Sequence, residues 1–226
     1  MRSAERVFSL VNMRSEDLTA RARIRDAAVA RFGRDGFRAS VRAIAEDAGV
    51  SAGLVIHHFG SKDALRAECD EHVLRVIREE KSSAIAEKSP AETIGMLAGV
   101  QEYAPLFAYI VRSLMDGGAL AAHFVDGLMD DAAAYLEAGE DAGTIRPTAD
   151  PAGRARQVVA AQVGLIVMAQ LDAAAGRGIA PTEDPGKAIE QLMTVSMLAG
   201  LELYTHGLFT DSAYLDAYLQ YRHKDG

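Results

Sequence analysis

The sequence predicts an all-α protein in which a small basic helical module precedes a larger acidic helical body. Alanine is abundant, and the periodic segments follow a repeat of 3.6 residues rather than the alternation typical of strands. Residues 1–66 carry 12 Lys and Arg against 8 Asp and Glu, a net charge of +4, whereas residues 67–226 carry 12 against 24, a net charge of −12. We therefore expect about nine to ten helices in two segments with different partners.

The overall composition is typical of a soluble globular protein. Of 226 residues, 49% are hydrophobic and 25% are charged. The single cysteine, Cys69, excludes an internal disulfide and suits a reducing compartment. The apolar runs are too short or too interrupted to predict a membrane span, and the first residues lack the pattern of a secretory signal. We expect a cytoplasmic protein without membrane contact.

A first helix is predicted over residues 19–33, after an N-terminal arm formed by residues 1–18. Gly33 and Gly36 are stop signals for this helix. Its apolar residues recur at helical spacing and define one buried face. That face consists of Ile24, Ala27, Ala28 and Phe32.

Two short helices follow, joined by a tight turn. Ser40 is a suitable N-cap for the second helix and Ser51 for the third, which runs to about Phe59. Gly49 between them permits a left-handed turn, and the small Ala45 allows the two helices to approach closely. This pattern predicts a helix-turn-helix, which completes a three-helix domain over residues 19–65.

The two adjacent histidines of the third helix are predicted to point in different directions. Rotation by 100° per residue places Val55 and Phe59 towards the core and His57 outwards, with His58 partly covered. Two side chains so arranged cannot chelate one ion, and no other His or Cys lies at a ligand spacing. We therefore expect no metal site.

Residues 66–226 are predicted to form one helical domain. Ser61 caps a long fourth helix over residues 62–86, and proline- and glycine-rich loops at residues 142–151 and 176–186 separate later helices. The remaining predicted helices span residues 91–101, 104–116, 118–140, 151–175, 185–207 and 211–222.

Residues 22–65 resemble the DNA-binding domain of the tetracycline-repressor (TetR) family of bacterial regulators. The resemblance covers the end of the first helix, the helix-turn-helix and the start of the fourth helix. Two positions depart from the family pattern, because Leu54 and Ile56 stand where Thr and Tyr are common. The matching residues are Phe32, Gly36, Phe37, Ser40, Arg42, Ile44, Ala45, Ala48, Gly49, Val50, Ser51, Gly53, His57, Phe59, Ser61, Lys62 and Leu65.

The resemblance implies a transcriptional regulator, most simply a repressor, that places its third helix in the major groove of a palindromic DNA operator. The arginines Arg14, Arg21, Arg23 and Arg25 would add positive charge near the DNA backbone. The aliphatic Leu54 and Ile56 favour apolar contacts, for example with thymine methyl groups. The expected DNA-contacting residues are Ser40, Arg42, Ser51, Ala52, Gly53, Leu54, Ile56, His57 and Lys62.

The resemblance also implies a homodimer that responds to a small molecule. Residues 151–175 and 185–207 are apolar on most sides, so we expect them to pair with a second copy in a four-helix interface. We expect the middle helices to bind an unknown apolar or amphipathic effector, and no cofactor is expected. The candidate pocket residues are Phe107, Met115, His123, Phe124, Tyr135, Gln162 and Met168.

Two other classes of function remain as alternatives. An all-α enzyme is disfavoured, because the sequence contains no phosphate loop, nucleophile elbow or converging set of carboxylates. A helical protein-interaction adaptor that has lost DNA binding is supported only by the departures at Leu54 and Ile56.

Overall fold

The computed structural model describes residues 2–87, 101–177 and 184–224, and confirms an all-α fold. These residues contain nine α-helices and no strand, with a π-helical turn at Ser83–Glu87 after the fourth helix. The helices are α1 (Arg2–Asp35), α2 (Val41–Asp47), α3 (Ala52–Phe59), α4 (Lys62–Ser82), α5 (Ala104–Asp116), α6 (Gly118–Asp141), α7 (Pro151–Ala174), α8 (Pro185–His206) and α9 (Ala213–Lys224).

Most predicted helix ends agree with the structure to within two residues, but the first helix does not. It begins at Arg2, so the stretch expected to be an arm at residues 1–18 continues the helix from Arg2 onwards. This segment contains neither Gly nor Pro, which removes the usual reason for a helix to end. The helix predicted over residues 91–101 lies, up to residue 100, outside the described part of the chain.

The main core joins the first four helices to the start of the second segment. Ile24 and Phe32 of α1 are fully buried, together with Ile44 of α2 and Val55 of α3. Tyr109 of α5 closes this core, and its ring lies 5.5 Å from that of Phe37 at right angles. The three-helix module therefore shares one continuous core with the helices that follow it.

Helix α1 touches α5 almost backbone to backbone at Gly33. A Cβ atom at Gly33 would lie 2.9 Å from the Cβ of Ala108 and 2.9 Å from the backbone nitrogen of Tyr109. Because backbone atoms cannot rotate away as a side chain can, only glycine fits at this point. This contact between Gly33 and the backbone of α5 fixes the position of the N-terminal module relative to α5, since no flexible side chain separates the two helices.

A buried hydrogen bond reinforces the same junction. The hydroxyl of Tyr109 donates to Oδ1 of Asp70 on α4 at 2.6 Å, and Asp70 is only 7% exposed. Burial raises the pKa of the Asp70 carboxyl, an effect that the Tyr109 hydrogen bond partly opposes. Arg66, one turn earlier, stacks on Phe37 with its guanidinium carbon 3.4 Å from the ring centre.

The thiol of Cys69 faces this core rather than solvent. Its side chain is fully buried, and burial together with the neighbouring Asp70 raises its pKa. A buried thiol of raised pKa is a poor nucleophile, which disfavours redox chemistry at Cys69.

A surface ion pair fixes α2 against α1. Nε of Arg31 lies 2.6 Å from Oδ2 of Asp47, and Nη1 of the same guanidinium lies 2.8 Å from Oδ2 of Asp35. The hydrogen bonds from Arg31 lower the pKa of both carboxyls. The ion pair therefore adds to the apolar contacts between α1 and α2 only while these carboxyls are ionised.

A second, smaller core joins α6 to α7. It contains Tyr135 and Leu136 on α6 and Ala155 and Val159 on α7. Burial raises the pKa of Tyr135 to about 12. Arg78 of α4 donates to Asp131 at 3.0 Å and connects this core with the fourth helix.

The outer sides of α7, α8 and α9 leave large apolar side chains exposed. Within the described residues, every exposed large hydrophobic side chain except Ile56 and Met115 lies between residues 165 and 221. By length and composition alone, helix α7 is also apolar enough to cross a membrane, a test that a core helix of a soluble protein also passes. Such a concentration of apolar surface indicates an interaction face.

Gly33→Ala is expected to destabilise the fold by about 1–3 kcal/mol, since the new methyl group must push α1 away from α5. Urea denaturation measures this loss. Gly53→Ala is the matched control, because its Cβ meets only Ser51 Oγ at 3.8 Å. That control should leave stability unchanged or raise it by up to about 1 kcal/mol. Equal stability of the two variants would contradict the close contact.

Asp47→Asn and Asp70→Asn are expected to alter the pH dependence of stability in opposite directions. Asp47 has a lowered pKa, so its contribution is present at neutral pH and is lost as the pH falls. Asp70 has a raised pKa, so its contribution is present at low pH and is lost as the pH rises through the folded-state pKa.

The two variants should therefore diverge from the unmodified protein in opposite directions as the pH rises. Asp47→Asn should be less stable at about pH 7, and this difference should shrink as the pH falls below the ordinary pKa of an aspartate, about 4. Asp70→Asn, which keeps an acceptor for Tyr109, should gain relative stability as the pH rises from about 3 to about 7. Urea unfolding across this range measures both differences, and parallel curves for all three proteins would refute the assignment.

Candidate nucleic-acid interface

The turn between α2 and α3 is built by backbone hydrogen bonds and one left-handed residue. The N–H of Val50 donates to the carbonyl of Ala45 at 2.9 Å, and Gly49 has a φ of +65°. A side chain at Gly49 would be strained in this backbone conformation. The small Ala45 is buried where the two helices meet, as the sequence pattern predicts.

Three serines begin the three helices of this region. The side-chain oxygen of Ser40 accepts from the N–H of Ala43 at 3.1 Å, and that of Ser51 accepts from Leu54 at 3.2 Å. Ser61 caps α4 in the same way through Ala64 at 3.0 Å. Each hydroxyl keeps its own proton as a donor, so a serine can cap its helix and still contact a phosphate.

The two sides of α3 differ sharply. Val55 and Phe59 are buried against the other helices, which fixes the rotation of α3. Ser51, Gly53 and His57 are exposed, and Ile56 is 43% exposed. Ala52, Leu54 and His58 are half-buried. The exposed side therefore combines little bulk at the helix N-terminus with an imidazole and an aliphatic side chain further along.

The N-terminus of α3 is accessible along its backbone. The first N–H groups of a helix have no acceptor within the helix, and Gly53 carries no side chain to cover them. These groups and the helix dipole favour a negatively charged partner at this end.

Two of the expected basic-arm residues have structural roles instead. Arg21 donates to Glu68 at 2.6 Å and to the carbonyl of His58 at 2.8 Å, and its guanidinium lies 4.6 Å from the centre of the Phe59 ring. Arg25 pairs with its neighbour Asp26 at 2.7 Å. These contacts oppose the expectation that both residues are free for DNA, whereas Arg23 is exposed.

Other cations near the helix-turn-helix remain accessible. Arg42 on α2 is exposed, and Lys62 is half-buried at the first position of α4. Arg38, in the loop before Ser40, is also exposed and was not among the residues singled out from the sequence. Neither Arg38 nor Arg42 forms an ion pair with a described carboxylate, in contrast to Arg31 and Arg34. The position of Arg38 in the loop two residues before the capping Ser40 is the signal that could have identified it.

The candidate pocket residues lie in both cores and at the surface, and the side chains of Tyr135 and Gln162 form a hydrogen bond. Phe124 is buried in the main core, and Tyr135 is buried in the second core. His123 and Gln162 are exposed, and Met168 is 60% exposed. Two of the seven, Phe107 and Met115, line a common cavity.

That cavity has a volume of about 130 Å³ and lies where the end of α1 meets α5, α7 and α8. Gly33 and Arg112 line it beside the two residues already named. Within the described residues, no group of three or more His, Cys, Asp or Glu side chains converges on a possible metal site.

Comparison with known protein families agrees with this geometry. Residues 24–69 match the family described as "Bacterial regulatory proteins, tetR family", and residues 101–210 match "Tetracyclin repressor-like, C-terminal domain". The chain is 44% identical over 208 residues to the HTH-type transcriptional regulatory protein RaaS of Mycobacterium tuberculosis, covering 92% of this chain and 95% of RaaS.

Solved structures show the same fold at lower sequence identity. The first, described as "Molecular basis for control of antibiotic production by a bacterial hormones", has a TM-score of 0.55 at 24% identity and covers 81% of this chain and 96% of its own. The second is SmeT, the repressor of the Stenotrophomonas maltophilia multidrug efflux pump SmeDEF, with a TM-score of 0.50 at 21% identity. It covers 77% of this chain and 89% of its own.

Proposed function

Because the chain belongs to the tetR family of bacterial regulatory proteins, we propose that it is a cytoplasmic repressor that binds a palindromic operator as a homodimer. Its N-terminal helix-turn-helix is the DNA-binding domain and its C-terminal helices form the ligand-binding domain of a transcriptional regulator. A small molecule bound to the second domain would change the affinity of the first for DNA.

The observation that carries this proposal is the exposed side of α3. Val55 and Phe59 fix the helix so that Gly53, Ile56 and His57 face outwards. Small residues at the helix N-terminus permit close approach of the backbone to DNA, as in helix-turn-helix proteins that insert this end into the major groove.

We assign two kinds of contact to this surface. Ser40, Arg42 and Lys62 would bind phosphates and set the register, with Ser51, Ala52 and Gly53 contributing at the N-terminus of α3. Leu54, Ile56 and His57 would read base edges and thymine methyl groups. Arg38, exposed beside Ser40, joins the phosphate-binding set.

A homodimer explains the apolar surface of α7 and α8. Leu198 on α8 is 72% exposed, and Leu165 and Leu171 on α7 also face solvent in the single chain. Two such helices from each chain would bury these side chains in a four-helix interface. The pairing would also present two α3 helices, which a palindrome with half-sites about 34 Å apart requires.

Repression is the simplest regulatory consequence of this design. SmeT, which shares the fold, is described as the repressor of an efflux pump. A dimer that binds an operator overlapping a promoter would exclude the polymerase, and an apolar or amphipathic effector would release it.

Arg42→Ala and Lys62→Ala are expected to weaken binding to every DNA sequence and to lower the salt dependence, because each removes a phosphate contact. After selection of an operator from random DNA, fluorescence anisotropy across a salt series measures both effects. Each variant should reduce the slope of log affinity against log salt by about 0.9. Arg75→Ala, exposed on α4 and paired with Glu79, is the control. Full operator affinity in both test variants would refute this DNA-binding face.

Leu198→Asp is expected to convert the dimer into monomers, because a charged carboxylate in an apolar interface is strongly unfavourable. Sedimentation velocity measures the change, and operator affinity should fall with it. Ala134→Asp, exposed on α6, is the matched control and should remain dimeric. If Leu198→Asp dimerises as the unmodified protein does, the interface lies elsewhere.

A further inference from the structure

The cavity at the end of α1 has a composition that indicates a class of ligand. Phe107, Val111 and Met115 of α5 provide an apolar wall, and Ala188 of α8 is also in the lining. Arg112 is the one charged residue among the described lining residues. An apolar wall beside a single cation suits a small amphipathic anion.

Arg112 is exposed, so most of the donors of its guanidinium face solvent rather than protein acceptors. Its contact to the carbonyl of Arg34 is long, at 3.5 Å, and a guanidinium has five N–H donors. The nearby carboxylates have other partners, since Asp35 binds Arg31 at 2.8 Å and Asp116 lies 3.5 Å from Arg66. Arg112 therefore retains donors in the fork geometry that binds a carboxylate.

The volume of the cavity accommodates about one ring of a ligand. The cavity measures about 130 Å³. An apolar protein cavity of about 150 Å³ accommodates benzene, so a single aromatic ring fits here only with its polar group directed out of the cavity. The half-exposed surface near Met115, which is 47% exposed, leaves room for that group.

We propose that this cavity binds a small aromatic carboxylate of about the size of benzoate. The ring lies against Phe107, Val111 and Met115, and the carboxylate pairs with the guanidinium of Arg112. This cavity contains two of the expected pocket residues, Phe107 and Met115, and reaches α1 through Gly33.

The position of Gly33 makes the site suited to control of DNA binding, a step that rests on the proposed function. Gly33 is also the point where α1 meets the backbone of α5. A ring inserted beside this contact shifts α1 relative to α5, and α1 carries the helix-turn-helix through their shared core. Ligand binding would then change the spacing of the two α3 helices in a dimer.

Isothermal titration calorimetry with sodium benzoate tests the site without DNA. Benzamide is the matched neutral probe because it has nearly the same shape but no charge. We expect benzoate to bind with one site per chain and to bind at least ten-fold more tightly than benzamide, the difference typical of a charge-assisted hydrogen bond. Absence of benzoate binding at concentrations up to about 10 mM, which would already detect a very weak complex, would overturn the proposal.

Two variants separate the cation from the cavity. Arg112→Met should lower benzoate affinity at least ten-fold and leave benzamide affinity unchanged, whereas Ala188→Leu should weaken both probes by filling the space. Arg75→Met, remote on α4, is the control and should bind as the unmodified protein does. Circular dichroism checks that each variant is folded. Unchanged benzoate binding by Arg112→Met would overturn the assignment of the carboxylate partner.

Operator binding in the presence of benzoate tests the regulatory step separately. We expect operator affinity to fall at least five-fold at saturating benzoate, within the usual range of allosteric coupling. Benzoate binding with unchanged operator affinity would overturn the coupling but support the site. Failure to bind any selected operator would instead overturn the proposed function, since the calorimetric result does not depend on DNA.

Discussion

The backbone contact between Gly33 of α1 and Ala108 of α5 is the constraint on which the arrangement of the two domains depends. A methyl group at Gly33 would lie 2.9 Å from the Cβ of Ala108, so the contact leaves no space for any side chain. The Tyr109–Asp70 hydrogen bond and the stacking of Arg66 on Phe37 surround this contact with buried polar and aromatic groups. A junction with so little freedom transmits a displacement instead of absorbing it, because close-packed interiors deform poorly.

The electrostatics of the N-terminal module separate cations that hold the fold from cations that remain accessible. Arg21, Arg25 and Arg31 are committed to carboxylates, and Arg21 additionally clamps α3 through the His58 carbonyl. Arg38 and Arg42 stay exposed beside the helix-turn-helix. Arginine thus stabilises the fold where a carboxylate lies within ion-pair distance, and it stays available to a partner where none does.

The exposed apolar side chains between residues 165 and 221 indicate an interaction face, whereas the buried ones stabilise the fold of the single chain. Leu198 and Tyr204 project into solvent in the single chain, although large apolar side chains are usually buried in a folded protein. Pairing through α7 and α8 would remove much of this surface from water. The proposed cavity is lined in part by the same two helices, so dimer geometry and ligand occupancy would act on the same elements.

The sequence by itself determined the helical class, the three serine caps, the Gly49 turn and the inward direction of Val55 and Phe59, because each follows from local backbone chemistry or helical periodicity. It did not determine that α1 extends back to Arg2, that Arg21 and Arg25 are paired, or that Phe107 and Met115 share a cavity with Gly33 of α1. Periodicity shows which face of a helix is apolar but not which other helix meets it. Only the tertiary structure decided the cavity and the contacts of Arg21 with His58 and Glu68. Both join residues that are far apart in the chain, and no local sequence pattern encodes the distance between such residues.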